Sequence, residues 1–209
     1  MLVTPTLVGK AAGPVLFLQD LFAGSAGTDL TAHTPDIGGA YSNVSGFGNG
    51  VMSLDGTNGV KTNPNDASGA TNYRNAATPP SADYTVKADI KRLSSLDNQP
   101  AICGHQSTSA LTFYRLEYNP AAAQWRLARV IAGVATGIGT NLSDTIGVGV
   151  TRTVLLTFVG DTQHVEVVGI GTIDASDTNI PAAGKVGLAN AGNATADATG
   201  IHILNLSAY

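Results

Sequence analysis

Glutamate is nearly absent from this chain: of fifteen acidic residues in 209, only Glu117 and Glu166 are glutamates, and the others are aspartates. Charge of either sign is sparse too, at 12% of residues, with a net charge of -4 and eleven Lys and Arg that stand singly apart from Lys91-Arg92. Such a chain lacks the basic footprint that holds phosphate backbones, so nucleic acid is not an expected partner. A single cysteine, Cys103, excludes a disulfide within the chain; set in Ala101-Ile102-Cys103-Gly104, it reads as a small buried hydrophobe rather than a reactive thiol. Long apolar runs are missing as well. A membrane helix takes about 20 such residues, whereas the longest aliphatic or aromatic stretch near the start, Val15 to Leu18, has four. Met1 leads into no basic region followed by an apolar run, so no secretory signal is expected; the sequence predicts a soluble product made in the cytosol, without membrane insertion.

What the chain does contain is glycine, 25 of them, with threonine, asparagine, aspartate and valine in a 43% hydrophobic background. These are middling or poor helix formers, and they suit strands joined by tight turns. Tyr84, Val86, Ala88 and Ile90 alternate with Thr85, Lys87, Asp89 and Lys91, the pattern of a strand with one buried face. Leu111 to Tyr118 and Gln124 to Ile131 flank Asn119-Pro120 and read as a hairpin; if Tyr118 lies opposite Trp125, Glu117 meets Arg126 and Leu116 meets Leu127. Thr153 to Val159 and His164 to Val168 form another hairpin, and Asp55-Gly56 with Asn58-Gly59 mark turns between Val51 and Val60. Lys185 to Leu188 and Ile201 to Ser207 read as late strands, the last with too many adjacent apolar residues to keep one face in water. No helix longer than a turn or two is expected. Closely spaced strands without intervening helices predict antiparallel pairing in an all-β sandwich or barrel.

Residues 1–18 differ from the rest. An apolar, threonine-rich run from Met1 to Val8 is followed by a glycine-containing hinge, Gly9 to Pro14, which predicts an extended N-terminal arm joined to a body at 19–209. Leu2, Val3, Leu7 and Val8 are the candidate docking residues of that arm.

An ordered set of segments carries a resemblance: Asp20-Leu21-Phe22, Leu30 to Tyr41, the strand around Tyr84, Tyr114 to Tyr118 with Trp125-Arg126-Leu127, and Ala183 to Leu188. Together they resemble the concanavalin A-like lectin/glucanase superfamily, and most closely the laminin-G-like jelly rolls carried by tailed-phage virion proteins. The resemblance implies a two-sheet antiparallel jelly-roll sandwich in which the strand near Asp20 lies beside the last strand, near Ile203. It also implies that Leu30 to Tyr41 is a long turn, with Tyr41 packed into the sandwich. In that reading Pro35 fixes one dihedral, Asp36 caps the turn through its own backbone, Gly38-Gly39 permits positive φ, and His33 is held by local hydrogen bonds.

Glycoside hydrolysis needs two carboxylates roughly 5 to 9 Å apart across the bond. No E-x-D-x-x-E pattern occurs, Glu117 is assigned to Arg126, Glu166 stands near a turn, and Asp174 and Asp177 lie in loop-like composition, so no catalytic residue is expected. Neither a metal site nor a cofactor is expected, the aspartates being scattered beside turn residues with no D-x-D-x-D cluster. Sugar binding calls for exposed aromatics beside polar groups; the candidates are Tyr73 and Arg74, taken as a loop, with His105 and Arg115. The resemblance implies a non-enzymatic virion protein (fibre, tail tip or capsid decoration), present in many copies and docked on other virion proteins through its arm. The alternative is a lectin module that binds host-surface glycan during adsorption.

Overall fold

The computed structural model describes residues 14–209 apart from 45, 47, 49, 63–70, 97, 182 and 193–195. The arm residues Leu2, Val3, Leu7 and Val8 lie outside the described residues. Sixteen strands follow in chain order. The first eight are β1 (Leu18–Asp20), β2 (Tyr41–Asn43), β3 (Met52–Leu54), β4 (Gly59–Thr62), β5 (Thr71–Asn75), β6 (Tyr84–Arg92), β7 (Asn98–Gln106) and β8 (Phe113–Asn119). The second eight are β9 (Gln124–Ile131), β10 (Val134–Gly137), β11 (Leu142–Ser143), β12 (Thr151–Val159), β13 (Thr162–Val167), β14 (Gly171–Ser176), β15 (Lys185–Gly192) and β16 (Ile201–Ala208). A single 3₁₀ turn, Leu30–Ala32, is the only helical element among the described residues.

The strands form two eight-stranded antiparallel sheets that pack as a jelly-roll sandwich. The first sheet runs β14-β13-β12-β6-β16-β4-β3, with β1 also on β16; the second runs β10-β9-β8-β7-β15-β5-β2, with β11 also on β9. β1 lies beside the end of the last strand, Leu18 opposite Ala208 and Asp20 opposite Leu206. Phe17 extends this pairing, its N–H donating to the Ala208 carbonyl at 3.0 Å, so the sandwich begins inside the segment that sequence assigned to the arm. The inward residues of β6, Tyr84, Val86, Ala88 and Ile90, are buried as their alternation requires. Opposite them on β12 stand Phe158, Leu156 and Val154. In β16 the alternation resets. Asn205 adopts φ 45°, the register shifts between Leu204 and Ser207, and Ile203 and Leu206 therefore both reach the core although three residues apart.

Between the sheets lie Trp125, Tyr118, Tyr114 and Phe158, all fully buried. Each such ring contributes about 2–3 kcal/mol by leaving water. Tyr118 and Trp125 face each other with centroids 4.9 Å apart, in the hairpin register expected from sequence. Their polar tips converge on Asp144. Trp125 Nε1 donates to Asp144 Oδ2 at 3.0 Å, Tyr118 Oη donates to the Asp144 carbonyl at 3.0 Å, and Arg152 grips both carboxylate oxygens at 3.0 Å. Burial by itself raises the Asp144 carboxyl, but the bonds from Arg152 and Trp125 outweigh it and hold the group below its ordinary value.

The stretch from Leu30 to Tyr41 is a seam. His33 Nε2 lies 2.8 Å from Asp20 Oδ1, so its partner comes from β1, thirteen residues back, rather than from the turn itself. Asp36 likewise does not cap its own turn; it accepts from Leu21 N at 2.9 Å and ties the turn to the end of β1. Gly38 has φ 119°, whereas Gly39 is needed for a different reason, since a Cβ there would stand 2.7 Å from that of Ala76. Tyr41 is buried, as the resemblance implied.

A second buried carboxylate pins the last strand. Asp55 Oδ2 lies 2.7 Å from His202 Nδ1, and Asp55 Oδ1 accepts from Thr57 N and Gly59 N. Burial pushes its carboxyl up, yet the bonds from His202 and Thr57 prevail and lower it to about 2. A carboxyl whose folded pKa is depressed contributes stability above its unfolded value, near 4, and loses that contribution as pH falls through the folded value. The melting temperature is therefore expected to fall between pH 4 and pH 2, and Asp55→Asn to lose less over that range than the parent. Identical acid profiles for the two proteins would sink the assignment.

Candidate binding clefts

Two clefts open at the end of the second sheet where β5, β15 and β7 terminate. Their origin is a fault in the β7–β15 ladder. The register shifts between Lys185 and Gly187, and His105, near the end of β7, takes φ 49°. A left-handed backbone is costly for a residue with a Cβ. Several contacts hold it. His105 N donates to Tyr84 Oη at 2.6 Å, its ring nitrogens face the carbonyls of Ile180 (3.2 Å) and Ala82 (2.9 Å), and the ring stacks on Phe158 with centroids 4.2 Å apart. Gly184 passes so close to the His105 carbonyl that no side chain fits there. The strands separate beyond this point, and a cleft of about 340 Å³ opens, with Thr78, Pro79, Gln106, Thr108, Ile180 and Lys185 among its walls.

The walls are fixed by polar contacts. Asp177 holds the 177–181 segment: Tyr114 Oη donates to its carbonyl (3.0 Å) and to Oδ1 (2.9 Å), Arg129 pairs with Oδ2, and Asn179 N donates to Oδ1 at 2.9 Å. Burial raises the Asp177 carboxyl, but the bonds from Asn179, Arg129 and Tyr114 prevail and keep it ionised, below its ordinary value. Across the cleft, Lys185 Nζ donates to the Ala76 carbonyl (2.9 Å) and Thr78 Oγ1 (2.6 Å). The third wall, the loop 107–112, closes on itself through Ser107 N to the Thr112 carbonyl at 2.9 Å, and Arg74 Nη1 braces it by donating to the Ser107 carbonyl at 2.8 Å. Beyond this loop lies a second cleft of about 200 Å³, lined by Asn43, Arg74, Thr108, Ser109 and Leu111. Thr108 borders both.

The sequence candidates scatter. Tyr73 is not in a loop: it stands in β5 opposite Leu188 and is 1% exposed, its hydroxyl accepting from Met52 N at 3.2 Å, so its ring offers no face to a sugar. The short run Thr-Asn-Tyr-Arg-Asn has no apolar alternation to announce a strand. Arg74, its neighbour, points to the opposite face and reaches the second cleft. His105 borders the larger cleft, but both its nitrogens are already engaged with backbone carbonyls. Arg115 lies elsewhere on the second sheet, buried against Glu117 at 2.8 Å, with Arg126 on the other carboxylate oxygen at 2.6 Å. Asp174 belongs to β14 rather than a loop, paired with His164 at 2.6 Å, and Asp177 is the buried anchor described above. Lys185, Thr108 and Asn179 were missed; only the turn-like Asn179-Ile180-Pro181 and Gly184 hinted that a rim stood there.

Cys103 is fully buried, and burial pushes its thiol up to about 12, which leaves it unreactive at neutral pH. Among the described residues no three His, Cys, Asp or Glu side chains come together as metal ligands. The described lining of both clefts contains no carboxylate at all.

By sequence, no protein-family model and no curated protein matches the chain. By structure it is similar to the carbohydrate binding module CBM66 from Bacillus subtilis, with a TM-score of 0.64 and 17% identity over 82% of this chain and 96% of that one. It is also similar to the exoplasmic/lumenal domain of VIP36 in its Ca²⁺/Man-bound form, with a TM-score of 0.60 and 11% identity over 93% of this chain and 91% of that one. The Ca²⁺/Man3GlcNAc-bound form gives 0.58 and 11% over 81% and 83%. At these identities the likeness defines the fold class.

Glu117 is only 2% exposed, so its pairing with Arg115 and Arg126 is a buried network rather than a surface contact. Removing the charge deprives both guanidinium groups of this carboxylate, and Glu117→Gln is expected to cost about 3 kcal/mol in urea denaturation. A loss under 1 kcal/mol would show that water reaches the group.

Proposed function

We propose that this domain is a non-catalytic carbohydrate-binding module whose sugar site is the pair of clefts flanking the loop 107–112. The observation that carries the reading is a preformed cleft with a polar rim and an apolar wall, Pro79 and Ile180, on the fold of a carbohydrate binding module. Pyranose and furanose rings present C–H faces and hydroxyls to a protein. Here Pro79 and Ile180 supply the apolar contact, while Thr108, Asn179 and Lys185 supply donors and acceptors. Catalysis fits poorly, because the described lining has no pair of carboxylates to act as acid and base. Nothing in the neighbours speaks for a phage particle, and the scaffold reading has the weaker support.

Glycan-array screening of the protein, followed by titration calorimetry on the best ligands, tests this. Binding at micromolar to millimolar affinity is expected. Thr108→Trp, at an exposed position bordering both clefts, should abolish binding while the melting temperature stays within a few degrees. Absence of any glycan signal at millimolar sensitivity would overturn the reading.

A further inference from the structure

We infer that the two clefts together take an acidic glycan, a chain carrying carboxylate or sulfate groups, with Lys185 and Arg74 each meeting one anionic group. This rests on the carbohydrate-binding reading and narrows its ligand class. The first observation is how this chain uses its cations. Lys61 pairs with Asp197, Arg115 and Arg126 share Glu117, Arg129 pairs with Asp177, and Arg152 pairs with Asp144. Lys185 and Arg74 depart from this pattern at the clefts; Arg92, whose described bonds also go to carbonyls, of Ser94 and Ile146, lines neither cleft. The bonds described for Lys185 and Arg74 go to neutral oxygens, of Ala76, Thr78 and Ser107, which fix the position of each head group without cancelling its charge. A guanidinium has five N–H donors and an ammonium three, so both retain donors for a ligand.

The second observation is the setting. Both cations border clefts whose described lining contains no carboxylate, on a protein whose net charge is -4. Lys87 and Lys91, by contrast, stand on β6 with Asp89 between them and line neither cleft. Arg74 is paired in register with Gly187, two residues from Lys185 on β15, which places the two Cα atoms about 8 Å apart at ordinary strand spacings. That separation suits two charges on one oligomeric ligand crossing the loop at Thr108, better than a single small anion. Arg74 offers a planar fork to a carboxylate or sulfate, and Lys185 a point charge.

Affinity electrophoresis and calorimetry with three polymers test the inference: a neutral mannan or fructan, a polyuronate, and a sulfated galactan. The polyuronate, the sulfated polymer, or both should bind more tightly than the neutral one, the comparison itself distinguishing carboxylate from sulfate. Affinity should fall about tenfold between 50 and 500 mM NaCl, as screening of a charged contact requires. Arg74→Met and Lys185→Met should each weaken acidic binding about tenfold and flatten its salt dependence. Because Lys185 and Arg74 each also brace a wall, Lys185→Arg and Arg74→Lys serve as charge-preserving controls and should retain most of the affinity, with melting temperatures confirming folding; Lys87→Met should change nothing. Neutral polymers bound as tightly as acidic ones would overturn this inference and leave the sugar-binding reading standing. Acidic binding unaffected by Arg74→Met and Lys185→Met would move the site elsewhere, and no binding of any polymer would overturn both.

Discussion

The buried carboxylate of Asp144 is the contact on which the rest of the sandwich turns. Two sheets pressed face to face must bury the large rings of the β8–β9 hairpin, and two of those rings carry polar tips. An indole N–H or phenol left unpaired between sheets costs several kcal/mol, enough to cancel what burying the ring contributes. Asp144 removes that cost for both, one through its side chain and one through its carbonyl, and Arg152 on β12 brings its own charge into balance from the opposite sheet. The pattern recurs at the rim. Asp177 does the same for Tyr114 and Arg129, and Asp55 for His202. The preference for aspartate over glutamate has a physical reading at these three positions: a short carboxylate leaving a turn reaches a buried donor without the extra rotor that glutamate would have to immobilise.

These anchors also order the walls of the two clefts. A binding surface gains affinity when its walls are already ordered, because less conformational freedom is lost on association. The 177–181 wall hangs from Asp177, the 76–79 wall from Lys185, and the 107–112 loop from Arg74, so both clefts are built from braced segments around a fault in the ladder. The fault itself depends on His105 holding a left-handed backbone, which its ring contacts with Phe158, Ile180 and Ala82 sustain. The strain therefore sits beside the cleft while its compensation lies in the core.

Much of the architecture was legible in sequence because it rests on local patterns. The alternation of β6 and the hairpin that sets Glu117 opposite Arg126 are short-range signals, and each was found where the residues placed it; the turn before Tyr41 was implied by the resemblance, and its His33 and Asp36 contacts reach back to β1 and its end instead of staying local. The site was less legible. Tyr73 and Arg74 looked like a loop because Tyr73 is the one apolar residue of β5, too few to show an alternation, while the other face is covered by polar side chains such as Gln106 near Asn72. Asp174 and Asp177 carry turn-like composition yet serve in a strand and as a buried anchor, a distinction set by partners over forty residues away in the case of Arg129. Lys185 gave no signal, since its place at the cleft depends on the Ala76 carbonyl and the Thr78 hydroxyl, more than a hundred residues away in sequence.

The same ledger of charges bears on chemistry. A glycosidase on this fold would need one carboxyl raised enough to donate a proton at neutral pH and a second kept ionised. Asp177 is the carboxylate that anchors a cleft wall, and its partners depress it, which is the wrong direction for a general acid. Glu117 stands on the outward face of the second sheet, already shared by two arginines. Asp55, Asp144, Asp177 and Glu117 hold the scaffold together, and among the described residues the lining of the two clefts carries Lys185 and Arg74 and no carboxylate. A general acid at either cleft would have to come from a group other than these four carboxylates.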